Sequence, residues 1–265
     1  MSDNDAIHVR RLLITPIKGL RVASCEELML ERAGVRENRR FYLVDEKGRM
    51  VNGKIIGELN ALRSDYNDAD RTLTVTLPSG ESISAPVHLG EEIDTRFFRT
   101  TPRAPLVLGP WSEAISGFVG RALRLVEADP ERKGVDRGDR GTVSLVSQGS
   151  LGRLAAAAGN GGEIDARRFR MLVEVDGVKA HGEDAWVGRR VRIGEALIGF
   201  NGHVGRCLVT NRDPDSGVID LPTLDLLRGY RAGEQTTEPL PFGIYGEVIE
   251  PGAVHLGDPV VTESP

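Results

Sequence analysis

Residues 71–77, Arg-Thr-Leu-Thr-Val-Thr-Leu, alternate without a break, with Leu73, Val75 and Leu77 on one side and three threonines on the other. Side chains on a strand point to opposite faces in turn, so this run predicts a half-buried strand. Pro-Ser-Gly at 78–80 then turns the chain into a second short run at 81–85. Similar runs precede it. Residues 7–18 mix apolar and basic positions and break at Thr15-Pro-Ile-Lys-Gly19, and strands follow at 25–30, 39–45 and 50–51, with Glu46-Lys47-Gly48 as a hairpin connector. Short strands at this spacing predict a small barrel or sandwich over residues 1–100.

The pattern changes after Leu108-Gly-Pro-Trp111. Trp111, Ile115, Phe118 and Val119 recur at helical spacing, which predicts a helix over 111–120 at the start of a second domain, 101–265. A strand at 121–127 follows. The polar run at 128–140 has no apolar period and reads either as a surface loop at a ligand mouth or as a solvated linker. After a strand at 142–146, Ser147 is placed to cap a helix that runs through Leu151, Leu154 and the alanines 155–158 and stops at Gly159-Asn-Gly-Gly162. Further strands are expected at 169–175, 190–193, 196–200, 206–210, 245–249 and 254–256, one or two helical turns at 224–227, and a last apolar group at 260–262. The fold class is mainly β (α+β), two β-barrel domains with a few short helices in the second.

Composition narrows the function more than the fold. The 265 residues carry a net charge of −5, which argues against a nucleic-acid binder. Thirty-two glycines against seven phenylalanines and four tyrosines agree with a turn-rich β protein. Two cysteines, Cys25 and Cys207, cannot build a disulfide framework, an iron–sulfur cluster or a four-cysteine zinc site. No signal peptide and no membrane-length apolar run is visible, so the expectation is a cytoplasmic monomer with no membrane contact.

Cys207 sits in the densest stretch of the chain, Asn201-Gly-His-Val-Gly-Arg-Cys-Leu-Val-Thr-Asn-Arg-Asp-Pro-Asp-Ser-Gly217. Arg206 beside it favours a thiolate, the metal-binding form, and Gly202 and Gly205 would let a bulky ligand approach. An ordinary buried cysteine at a strand end is the competing reading. His203 is a weaker second metal ligand, because two pleats of strand would separate it from Cys207. The paired aspartates read as a Pro-assisted turn rather than a calcium loop, since Leu224 stands where the closing acid belongs. Lys18, Arg40 and Arg170 fall at strand ends, either converging on an anion or lying in solvent. His181, in His-Gly-Glu-Asp-Ala-Trp186, is either a proton donor near neutral pH or part of a loop anchored by Trp186.

In this order, the pieces resemble a known family. Arg168-Phe-Arg170, Glu183-Asp-Ala-Trp, the Cys207 stretch, Pro241-Phe-Gly-Ile-Tyr245 and Pro251-Gly-Ala-Val-His-Leu-Gly-Asp-Pro259 look like a MOSC domain. Thr15-Pro-Ile-Lys-Gly and Arg39-Arg-Phe-Tyr-Leu-Val-Asp are similar to the β-barrel domain that precedes it. Within that family the resemblance is to the amidoxime-reducing components of mitochondria and their bacterial counterparts. It implies a molybdenum–molybdopterin cofactor with Cys207 as metal ligand and catalytic centre. By the same resemblance Lys18, Gly19, Arg40, Asp139, Arg140, Arg170, Gly205, Arg206 and Tyr245 hold the cofactor. Gly19 and Gly205 stand where the reductase members carry serine. The implied reaction is reduction of N-hydroxylated or other N-oxygenated small molecules. Electrons would come from a partner protein: a flavin reductase, a cytochrome b5-like protein or a ferredoxin. The alternative is a non-catalytic carrier of the cofactor, or of sulfur on Cys207; pyridoxal phosphate binding is a further association at the family level only.

Overall fold

The computed structural model of the chain describes residues 6–96, 101–129, 141–159 and 162–263. The alternating threonine run forms the strand Thr72–Thr76, in the middle of an antiparallel sheet between Arg63–Asn67 and Ser82–Pro86. Leu73 and Val75 are fully buried on its inner face. On the outer face Thr74 Oγ1 meets Ser84 Oγ at 2.8 Å and Thr76 Oγ1 meets Ser82 Oγ at 3.0 Å, cross-strand pairs that hold the register.

A six-stranded sheet stands beside it. Its order is His88–Asp94, Arg103–Leu108, Arg124–Glu127, Phe41–Val44 and Ile17–Lys18, with Met50–Val51 also paired to Phe41–Val44. The helix Trp111–Val119 forms where the helical spacing placed it and closes on Gly120 in the left-handed region, φ 65°. Trp111 and Ile115 are fully buried with Phe41, Leu43 and Leu73, and Trp111 Nε1 donates to Leu73 O at 3.1 Å. This core therefore extends beyond residue 100, through the helix to the strand Arg124–Glu127.

The second core lies against an eight-stranded sheet ordered Val260–Thr262, Arg190–Ile193, Ala196–Gly205, Pro241–Glu250, Val143–Ser147, Val173–Asp176, His8–Ile14 and Ala23–Cys25. The first strand of the chain thus completes the sheet of the second half. Glu27–Leu30 also crosses over, pairing with Gly252–His255. The expected single strand at 25–30 is divided at Glu26 for this reason, since its two pieces serve different sheets.

Ser147 caps the helix Gln148–Ala158 by accepting the Ser150 N–H at 3.1 Å, and Gly159 ends it at φ 69°. The expected helical turns at 224–227 extend to Thr223–Arg231. Two strand expectations are corrected. Residues 169–175 begin with a 3-10 turn, Ala166–Phe169, because the Asp165 carboxylate accepts the Arg167 N–H at 2.9 Å, and only Val173–Asp176 is strand. Residues 206–210 are not strand at all, since the strand from Ala196 runs on to Gly205 and then leaves the sheet. The polar run at 128–140 lies almost wholly outside the described residues, and Asp139 and Arg140 lie outside them entirely. Among the described residues no helix is long and apolar enough to cross a membrane.

Candidate functional site

Cys207 follows the long central strand by two residues and opens a 3-10 turn, Leu208–Asn211. Its backbone is extended, φ −131° and ψ 174°, and its carbonyl accepts both the Thr210 N–H at 3.1 Å and the Thr210 hydroxyl at 2.9 Å. Thr210 is buried, so the turn is anchored from below while Cys207 itself is exposed. The reading of an ordinary buried cysteine fits Cys25 instead. That thiol is half-buried with Sγ against Leu12 O at 3.7 Å; burial, then Glu37, pushes its pKa up to about 11.

Arg206 turns the other way. Nε and Nη2 donate to Phe242 O, the former at 2.8 Å; Nη1 donates to Phe169 O at 3.0 Å, and the guanidinium lies over the Phe169 ring. Its charge is directed at inward carbonyls, so Arg206 braces the Cys207 segment from behind.

The segment after the turn meets the first half of the chain. Asn60 Nδ2 donates to Asp213 O at 3.1 Å, and Arg21 Nη2 donates to Asp215 O at 3.0 Å. Arg167 grips the Asp215 carboxylate with two bonds of 2.8 Å. Gly217, φ 75°, sits so close to Gly57 that a Cβ there would fall 1.9 Å from Gly57 O. Asp213 Oδ1 accepts the Ser216 N–H and hydroxyl, each at 2.7 Å, and the Asp215 N–H at 3.1 Å. Burial works against its ionisation, but these donors outweigh it, so the carboxyl titrates below its usual range. The aspartates are committed to a turn and a seam rather than to calcium.

The basic residues reach the same seam from the other side. Lys18 stands opposite Tyr42 in the parallel pairing of Ile17–Lys18 with Phe41–Val44, two residues along from Arg40. Arg40 Nε is bound to the buried Glu127 at 2.6 Å. Gly19, φ 103°, turns tightly over Asn52, whose Cα would lie 3.1 Å from an added Cβ. A Cβ on Gly53 would lie 3.5 Å from Gly19 O and 3.6 Å from Val209 Cγ2, so the Gly19 turn and the Val209 side chain, two residues from Cys207, both come close to Gly53. Arg170 Nη2 donates to Leu20 O at 2.5 Å, and Arg39 Nη2 donates to Arg170 O at 2.8 Å. Arg39 and Arg170 both have φ of 55°, a left-handed conformation that non-glycine residues rarely adopt. Contacts thus connect Lys18, Gly19, Arg170, Arg206 and Cys207. Arg39, which no sequence pattern singled out, belongs with them. Tyr245 lies across the sheet, opposite Gly202, with its hydroxyl 2.9 Å from where a Gly202 Cβ would be.

The two histidines fall elsewhere. His203 is engaged by Thr237 and Asp184. Its Nδ1 accepts the Thr237 N–H at 3.2 Å, and Nε2 faces Asp184 Oδ1 at 3.7 Å. Among the described residues no group of three or more His, Cys, Asp or Glu side chains could hold a metal ion, which removes the His203–Cys207 zinc reading as a protein-only site. Trp186 is buried against Phe200, while His181 packs against the Tyr230 and Phe242 rings, with centroids 5.7 and 5.9 Å away. Burial, then Arg231, lowers its pKa from 6.5 to about 4, so it is neutral near pH 7 and not the proton donor considered from the sequence. Its neighbour Glu183 is fully buried, accepting the Ser147 hydroxyl at 2.7 Å and the Ser150 hydroxyl at 2.6 Å.

His181 carries a pH prediction. Its folded-state pKa is depressed, so the folded protein takes the proton less readily than the unfolded chain. The stabilisation is complete above about 6.5 and is lost as pH falls toward about 4. His203 shifts in the same direction, through burial first. Urea midpoints are expected to fall between pH 6.5 and 5, above the ordinary carboxylate range. His181→Asn, which tolerates the left-handed backbone at φ 57°, should flatten that slope. An unchanged slope would contradict the assignment.

The structure is that of a mostly β protein with two interlocked halves, and an exposed thiol lies on the segment that packs against the first half. The chain belongs to the MOSC family. Residues 6–105 match the MOSC N-terminal beta barrel domain and residues 132–261 the MOSC domain. A Danio rerio protein, mitochondrial amidoxime-reducing component 1, is 26% identical over 278 residues, covering 95% of this chain and 83% of that protein. The Homo sapiens mitochondrial amidoxime reducing component 2 is 27% identical over 287 residues, with 95% and 82% covered. The molybdenum cofactor sulfurase of Oryza sativa subsp. japonica is 26% identical over 246 residues, which are 80% of this chain but 29% of that protein.

Proposed function

We propose that the chain binds a molybdenum–molybdopterin cofactor at the seam and reduces N-hydroxylated or related N-oxygenated small molecules, with electrons from a partner protein. The observation that carries this reading is the exposed Cys207 thiol on a segment that reaches the Gly19 turn through Val209 and Gly53, and the Arg39–Arg170 pair through Arg206 and Phe169. The donor set fits the group. A single soft thiolate suits molybdenum held mainly by dithiolene sulfurs, and no competing protein cluster surrounds it among the described residues. The similarity to amidoxime-reducing components supports the choice of substrate.

Bound there, such a group supplies a two-electron centre that accepts oxygen from nitrogen. The remaining work belongs to the chain. Lys18, Arg40 and Arg170 offer positive charge to the cofactor's phosphate and pterin, and the Gly19 turn brings backbone close to them. Gly205 and Arg206 hold the segment that presents Cys207, and Tyr245 supports the neighbouring strand. The electron donor would be a flavin reductase, a cytochrome b5-like protein or a ferredoxin.

Protein made in a host that synthesises the cofactor is expected to carry about one molybdenum per chain, to release a fluorescent pterin on oxidation, and to reduce an amidoxime with an artificial donor. Absence of both metal and pterin sinks the reading. Metal and pterin without reduction would favour a carrier, a role that the exposed thiol and the similarity to the sulfurase also support. A sulfane-sulfur assay then separates carriage of sulfur from carriage of cofactor.

A further inference from the structure

The glycines before Cys207 are expected from sequence to leave room for a ligand. The structure fills that room with protein. Residues 232–240, between the helix Thr223–Arg231 and the strand Pro241–Glu250, cross directly over the end of the strand Ala196–Gly205. A Cβ on Gly202 would lie 2.9 Å from Thr237 Oγ1. One on Gly205 would lie 3.0 Å from Glu238 Oε2, 3.3 Å from Glu238 Cβ and 3.5 Å from Pro239 O. This strap is fastened. The His203 N–H donates to Thr237 Oγ1 at 2.7 Å, the Thr237 N–H returns to His203 Nδ1 at 3.2 Å, and Thr236 Oγ1 donates to Glu238 O at 2.9 Å. Leu240, at φ 49°, makes the sharp corner back into the sheet.

Glu238 is therefore held over Gly205, two residues before Cys207. Positions two apart on a chain are at most roughly 7 Å apart, about the width of a small substrate. Among the described residues no hydrogen bond or ion pair engages that carboxylate. The bases Lys18, Arg39 and Arg170 approach from the first half and from the 166–170 turn. Glu238 thus brings a carboxylate to the strap side of the segment that carries Cys207, while these bases belong to the elements on its other side.

We propose that Glu238 is a specificity-determining residue. It makes the strap a negative wall on one side of the Cys207 site, so that on the strap side cationic and neutral molecules are favoured over anions. The inference rests on Cys207 being the reacting centre of the proposed function.

The test needs no cofactor. In the metal-free full chain carrying Cys25→Ser, Cys207 is titrated with two methanethiosulfonates of similar size, one bearing a trimethylammonium group and one a sulfonate. Their rate ratio, corrected by the ratio for a small free thiol, cancels the fraction of thiolate. Glu238→Gln is expected to lower the corrected ratio about 5- to 10-fold, as removal of one charge at this distance implies. Glu234→Gln, an exposed acid on the same strap, should change it by less than about 2-fold. Gly205→Ala, whose methyl displaces the carboxylate, should lower it part-way. An unchanged ratio in Glu238→Gln, or an equal fall in Glu234→Gln, overturns the proposal. Both outcomes are independent of molybdenum content, so failure here is distinguishable from failure of the reductase reading.

Discussion

Cys207→Ala is expected to strip molybdenum from the purified protein and to lower amidoxime reduction by more than about 100-fold, since loss of even an outer partner of a bound metal costs about 10–100-fold. Stability should hardly move. The thiol is exposed, and the turn is held by the Cys207 carbonyl and Thr210, which the substitution leaves in place. Surface changes of this kind usually stay within about 0.5 kcal/mol. Cys25→Ala is the matched control, because that thiol lies half-buried against Leu12 in the shared sheet. It should keep its metal. The measurement is metal content by mass spectrometry beside a denaturant midpoint. Unchanged molybdenum in Cys207→Ala would end the ligand assignment, whatever happened to activity.

Gly217→Ala should have the largest effect on the fold. The added methyl would lie 1.9 Å from Gly57 O and 2.4 Å from Gly57 C, both backbone atoms that no side-chain rotation can move. Left-handed strain at φ 75° adds to the clash, and a cost of at least about 3 kcal/mol follows. Relief requires the 213–217 turn to back away from the first half, breaking the Asn60–Asp213 and Arg21–Asp215 contacts and moving the segment that carries Cys207. Gly80→Ala separates the two causes. Gly80 has φ of 90° with nothing near its absent Cβ, so it bears the conformational cost alone, about 1 kcal/mol. Denaturant midpoints of the two variants should differ by the contact contribution. Equal midpoints would mean that the Gly57–Gly217 approach does not hold the halves together.

Local rules carry far in this chain. The threonine alternation at 72–76, the Ser147 cap with its Gly159 stop, and the helix at Trp111 each depend on neighbours within a few residues, and each appears where the pattern placed it. The strand at 206–210 does not, because a short apolar run after glycine suits a strand or a 3-10 turn equally. Thr210 decides for the turn by binding the Cys207 carbonyl. The divided strand at 25–30 shows the same limit. Nothing local at Glu26 marks the break, because the partners of the two pieces lie at opposite ends of the chain.

For the site, the order of residues around Cys207 and along the whole chain pointed to a family and to a cysteine, with lysine and arginines at strand ends. Those properties are chemical and are written in the residues themselves. What a side chain faces is not. Only the packed structure shows Arg206 bent inward onto carbonyls, His181 buried and neutral, Glu183 enclosed by two serines, and Glu238 laid over Gly205. Each depends on segments tens of residues apart meeting across a sheet or a seam. One-dimensional spacing carries no record of such encounters, and the burial that keeps His181 neutral exists only after those segments have met.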